Sequence, residues 1–96
     1  MSRHFTRSPD LVERTIRGEH LLVPVARSEA TLGSLFTLNE TARFVWDRAG
    51  AGQAEDGIAA ALAREFGVSP AQAAADTRRV LDELLSIGAL RLKGGP

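Results

Sequence analysis

The 96-residue chain has no cysteine and no tyrosine, a single tryptophan, a single methionine and two histidines. Without cysteine there is no disulfide framework, no thiolate metal centre and no thiol redox chemistry, so the expected location is the cytoplasm. No apolar run approaches the roughly 20 residues that a membrane span needs. Met1-Ser2-Arg3-His4-Phe5 does not lead into a signal peptide. Twelve Lys and Arg offset twelve Asp and Glu, which leaves no net field to gather nucleic acid or an acidic substrate. What the chain does have is Ala and Leu. Fifteen of its apolar residues are Ala, and a core must be filled by twelve Leu, six Val, three Ile, four Phe and the Trp, enough for one small core.

Residues 1–10 carry Arg3, Arg7, Ser8 and Pro9 without periodicity and read as a flexible N-terminal arm. Leu11–Ile16 and His20–Val25 are short, rich in Leu and β-branched residues, and separated by Arg17-Gly18-Glu19, a β-hairpin pattern. Arg27 to Gly33 is a polar connection. Leu35-Phe36-Thr37 then reads as a third short strand stopping before Asn39, a helix N-cap. The first helix is predicted over Glu40 to Ala49, with Leu38, Ala42, Val45, Trp46 and Ala49 on one stripe and Trp46 in the core. The second opens at Glu55-Asp56, whose charges suit the helix dipole, and closes at Gly67. Ala51-Gly52-Gln53-Ala54 offers it no capping side chain, so it should begin loosely. Ser69-Pro70-Ala71-Gln72 is a strong start for a third helix reaching Ile87. Ala89-Leu90-Arg91-Leu92 either adds a last short strand or simply packs down, and residues 93–96 are a tail. Residues 11–92 thus form one α+β domain of winged helix-turn-helix-like order, a three-stranded antiparallel sheet followed by three helices.

Chemistry is sparse. His4 and His20 have no cysteine to join them in a metal site. Ser69 is a cap and Ser34 a turn residue, neither an activated nucleophile. The adjacent acids Glu55-Asp56 and Asp82-Glu83 point about 100° apart on a helix and cannot flank one bond. Gly50-Ala51-Gly52 lacks the Gly-Lys-Ser/Thr ending of a phosphate loop and is followed by acids. The expectation is a non-enzyme without metal or cofactor. A winged-helix DNA-binding regulator is the alternative that the element order permits, but the third helix has more acids than bases, the wrong sign for a polyanion.

On that third helix Ala73, Thr77, Val80 and Leu84 form a core stripe, whereas Ala74, Arg78, Leu81 and Leu85 form a second one turned by about 100°, which either widens the packing face toward both the sheet and the first helix or lines a groove beside the third strand. A short edge strand beside an apolar groove is what recognition of an extended peptide requires. The segment Leu35-Phe36-Thr37-Leu38-Asn39-Glu40-Thr41-Ala42-Arg43-Phe44-Val45-Trp46, followed by Ile58, Leu62 and Phe66 at steps of four, by Asp76, Val80, Leu81 and Leu84, and by Gly88-Ala89-Leu90, resembles the PqqD-like peptide chaperones, also called RiPP recognition elements. The resemblance covers about residues 11–92. It implies a winged-helix-like fold, binding of the leader segment of a ribosomally made precursor peptide, and its presentation to a modifying enzyme or leader peptidase, with neither nucleic acid nor membrane as partner. The pathway is left open, lasso-type systems included. The expected peptide site is the edge Ser34, Leu35, Phe36 and Thr37, with Leu81 and Leu85 as apolar contacts and Arg78 meeting an acidic leader residue.

Overall fold

The computed structural model describes residues 2–24 and 36–93. Its elements in chain order are β1 (Phe5–Arg7), β2 (Leu11–Ile16), β3 (Glu19–Pro24), β4 (Phe36–Leu38), α1 (Glu40–Gly50), α2 (Glu55–Phe66), α3 (Pro70–Ser86) and β5 (Leu90–Leu92). β2 and β3 pair antiparallel from Leu11↔Pro24 to Ile16↔Glu19. The loop between them is therefore only Arg17-Gly18, with φ of 53° and 81°. Two positive φ values in a two-residue loop are the mark of the turn whose twist suits a hairpin; Gly18 adopts it freely, and Arg17 at a cost.

β4 joins the other side of β3, from His20↔Leu38 to Leu22↔Phe36, giving the order β2-β3-β4. The third strand thus ends one residue later than the sequence pattern placed its end, because Leu38 is both paired with His20 and buried. Asn39 follows at once as the N-cap of α1, its Oδ1 accepting the Ala42 N–H at 2.8 Å. Ser34, Leu35, Val25 and the expected connection over 27–33 lie outside the described residues, as do Met1 and residues 94–96 of the expected tail.

The helices start and stop where local chemistry dictates. Gly67, at φ 65°, ends α2 in the left-handed conformation, and Ser69 caps α3 by accepting the Gln72 N–H at 3.1 Å, with Pro70 in the first turn. Ala42, Val45, Trp46 and Ala49 of α1 meet Ile58 of α2 and Val80, Leu81 and Leu84 of α3 in one core, which Leu22, Leu38, Ala89 and Leu90 complete.

The N-terminal arm carries a strand. β1 pairs antiparallel with β5, from Phe5↔Leu92 to Arg7↔Leu90, as a second small sheet. Phe5 is 1% exposed within the core, while His4 and Thr6 on either side face solvent. The pairing is extended by Ser8 N–H to the Ala89 carbonyl and by Lys93 N–H to the His4 carbonyl, both 2.9 Å. This strap also corrects the expected start of α2. Ala54 supplies no capping side chain, but the Glu55 N–H donates to the Arg3 carbonyl at 2.8 Å and the Asp56 N–H to the Ser2 hydroxyl at 2.7 Å. The two donors left open by the local sequence are satisfied from the other end of the chain, which is why a reading of neighbouring residues missed it.

Candidate functional site

Among the described residues β4 is hydrogen-bonded to a strand on one side only. Its outward main-chain groups form an open edge, the arrangement that accepts a further strand. Thr37 is exposed on it and Phe36 is half-buried. Phe36 and Leu85 both pack against the core while keeping part of their apolar surface open. These two side chains and the β4 edge are the portion of the expected site that the described residues leave accessible.

Leu81 does not line a surface. It is 0% exposed, inside the same cluster as Val80 and Leu84. The buried arc of α3 spans Ala73, Thr77, Val80, Leu81 and Leu84, wide enough to pack against α1 and α2 together. The second stripe therefore reduces to Leu85 as an open apolar contact, with Leu81 beneath it. Arg78 is placed elsewhere. Its Nε lies 3.4 Å from Glu55 Oε2, and it lines, with Ser2, Arg3, Ala59 and Ala74, a recess of about 430 Å³ to which no residue of β4 contributes.

Glu55 is the centre of that region. Its carboxylate, with 13% of the side chain exposed, accepts Arg3 Nε at 2.7 Å, Arg3 Nη2 at 3.3 Å and Arg78 Nε at 3.4 Å. Arg3 reaches on to Asp82 at 3.1 Å. The Arg3 hydrogen bond holds the Glu55 carboxyl below the usual glutamate range against the opposing effect of burial, and the same bond raises Arg3. The cluster clasps the strap to α2 and α3, with Arg3 bonded to both Glu55 and Asp82 and Arg78 reaching Glu55 through Nε.

Trp46 lies in the core as expected, 2% exposed. Its indole Nε1–H donates to Glu13 Oε1 at 3.2 Å, tying α1 to β2. The Arg7 guanidinium sits 4.3 Å from the indole ring and donates to the Trp46 carbonyl at 3.2 Å. Neither partner was evident in sequence, although Arg3-His4-Phe5-Thr6-Arg7 alternates with period two and places both arginines on the face of Phe5, a signal for a strand with one buried face.

A larger recess, of about 660 Å³, opens between the Gly18–His20 turn, the Leu38 end of β4, the outward face of α1 and the end of α2. Its aromatic floor is Phe44 and Phe66, edge to face with centroids 5.6 Å apart. The histidines stay separate: His20 Nδ1 shares a 3.0 Å hydrogen bond with Thr15 Oγ1, and among the described residues no three His, Cys, Asp or Glu side chains group as metal ligands. No helix of the described residues is long and apolar enough to cross a membrane.

The lasso peptide synthetase B1 solved in complex with the leader peptide is similar over 92% of this chain and 98% of its own, with a TM-score of 0.76 and 20% identity. TbiB1 in complex with the TbiA(beta) leader peptide is similar over 95% and 98%, with a TM-score of 0.71 and 22% identity. Both share the fold found here, a three-stranded antiparallel sheet followed by three helices. No curated protein matches the chain. The family model described as coenzyme PQQ synthesis protein D (PqqD) matches residues 19–90, from the first residue of β3 to the first of β5. With that match spanning most of its length, the chain belongs to the PqqD family.

Proposed function

We propose that this chain is a non-enzymatic adaptor that binds the leader segment of a ribosomally synthesised precursor peptide by strand addition at β4 and presents it to a modifying enzyme or leader peptidase in the cytoplasm. The observation that carries this reading is the open β4 edge beside two partly open apolar side chains, Phe36 and Leu85. Main-chain bonds along the edge hold an extended peptide of any sequence, and the apolar contacts choose among sequences. The two structural neighbours were each solved with a leader peptide bound, which supports the same class of ligand here. The bound edge comprises Ser34, Leu35, Phe36 and Thr37, with Leu85 as the apolar contact, Leu81 as its buried support, and Arg78 left in its clasp with Glu55.

The charges of α3 weigh against DNA as the ligand. Arg79 lies between Asp76 and Glu83 at 3.9 Å each, and Arg78 lies 3.4 Å from Glu55, so carboxylates beside both arginines of the helix weaken the positive field that a polyanion needs.

Titration with synthetic peptides made from whichever short reading frames neighbour the gene for this chain tests the proposal. Leu85→Ala is expected to weaken binding severalfold with the fold retained, whereas Leu84→Ala, at 0% exposure, is expected to cost about 2–5 kcal/mol of stability. Binding should protect the amides of Phe36 to Leu38 from exchange and depend weakly on salt. Protection over Leu11–Ile16 instead, or equal affinity for Leu85→Ala and wild type, would remove the β4 edge as the site.

A further inference from the structure

We infer that the aromatic recess at the Leu38 end of β4 is a second reading position for the same leader, selecting a basic residue next to an apolar one on the N-terminal side of the strand-forming segment. The inference rests on the strand-addition reading. A strand added antiparallel to β4 runs in the direction of β3, so it passes Leu38 first and Phe36 last. Residues preceding the paired segment therefore arrive beside Leu38, Asn39 and Glu40, where the 660 Å³ recess begins.

The walls of the recess specify what fits. Phe44 and Phe66 form its floor, and Phe66 is 37% exposed, one of the few large apolar side chains open to solvent. Glu19, Glu40, Asp47 and Glu65 line it, against the single base Arg43 and the ring of His20. Arg43 is engaged by Glu13 at 3.8 Å and by Asp47 at 4.0 Å. Arg48 lies over the Phe44 ring at 4.5 Å and donates to Gln53, outside the lining. Glu19, Glu40 and Glu65 have no ion-pair partner among the described residues. Three carboxylates unpaired among the described residues, around an aromatic floor, favour a cation carried on an apolar stem, as in Lys or Arg, which buries its methylenes on the rings and leaves its head at the rim. The outward face of α1 thus has a role that its packing does not explain, since its core face is Ala42, Val45, Trp46 and Ala49.

The test uses a displayed library of random 20-residue peptides, selected in parallel on the wild-type chain and on the double variant Glu40→Lys/Glu65→Lys. Both substitutions are at solvent-exposed positions, and thermal melting checks that the fold is intact. Wild type should enrich peptides with Lys or Arg and a neighbouring apolar residue before the segment that protects Phe36 and Thr37 from exchange. The charge-reversed variant should lose that flank preference and bind the wild-type winners about tenfold more weakly, while peptides truncated to the paired segment bind both proteins equally. Peptides that protect β4 yet carry no basic flank, or carry it on the C-terminal side, overturn this inference and leave strand addition standing. A wild-type dimer that the double variant dissociates also overturns it, because a second copy would then fill the recess. If no selected peptide protects β4, the strand-addition reading falls together with this one.

Discussion

The two sheets of this molecule differ in opposite ways from what their sizes suggest. β1 and β5 are three residues each, yet they place Phe5 and Leu90 in the core at 1% and 2% exposure. β2 is twice as long, yet no residue of it is fully buried, and Ile16 is 52% exposed. The short pair closes the hydrophobic cluster and caps α2, whereas the long hairpin stands largely outside the core, tied by Leu22 of β3 and by the contact of Glu13 with Trp46. Strand length therefore does not rank contribution to stability here. Burial and long-range hydrogen bonds do, and they leave the longer sheet free to present an edge to a partner.

The comparison breaks most readily at Phe5. Phe5→Ala is expected to cost about 3–5 kcal/mol, a large share of a small domain's total of about 5–15, and to unfold or nearly unfold the chain in a thermal melt. A shift of only a few degrees would mean that the strap is dispensable. Glu55→Gln removes the charge that holds Arg3 and Arg78 and is expected to cost about 1–2 kcal/mol at pH 7. Because the Glu55 carboxyl lies below its ordinary value near 4.5 in the folded state, its contribution is fully present above that value and is lost as pH falls through the folded-state pKa. Denaturant midpoints of wild type and Glu55→Gln should therefore differ at neutral pH and converge in acid; a constant gap down to pH 2 would exclude the carboxylate as the cause.

On the other sheet the effects are smaller. Trp46→Phe keeps much of the buried ring but deletes the indole donor to Glu13, at an expected cost of about 1–3 kcal/mol from lost packing and one hydrogen bond. Exchange protection in β2 should fall more than in β1, and equal losses would show that the indole bond does not anchor the hairpin. Ile16→Ala, far out on the hairpin, should change stability by no more than about 0.5 kcal/mol.

What was legible in the sequence follows the range of the interactions. The helix limits were readable because Asn39, Gly67, Ser69 and Pro70 act within a turn of where they sit. The order of strands and helices, and with it the edge at Phe36-Thr37, followed from patterns a few residues long. The exposure of Leu81 was not readable, since helical periodicity gives the angle between stripes and not how many neighbours cover them. The strap was harder to read for a stronger reason: its period-two alternation from Arg3 to Arg7 is short and holds one apolar residue, and its partners lie at the far end of the chain. Arg3 and the Phe44/Phe66 recess were missed alike, each being assembled from segments far apart in sequence.

The clasp also has a bearing on the order in which the molecule folds. Arg3 and Asp82 are 79 residues apart in sequence, and closing a loop of that length costs about 4 kcal/mol of chain entropy, from (3/2)RT ln n. α2 and α3, joined by Gly67–Ser69, close against each other for about 1 kcal/mol by the same relation. The helical pair is thus the early event and the β1–β5 ladder the late one. Substitutions in the strap that leave the helices intact should hasten unfolding while leaving the refolding rate nearly unchanged, so that the clasp governs how long the native state persists and not how quickly it is reached.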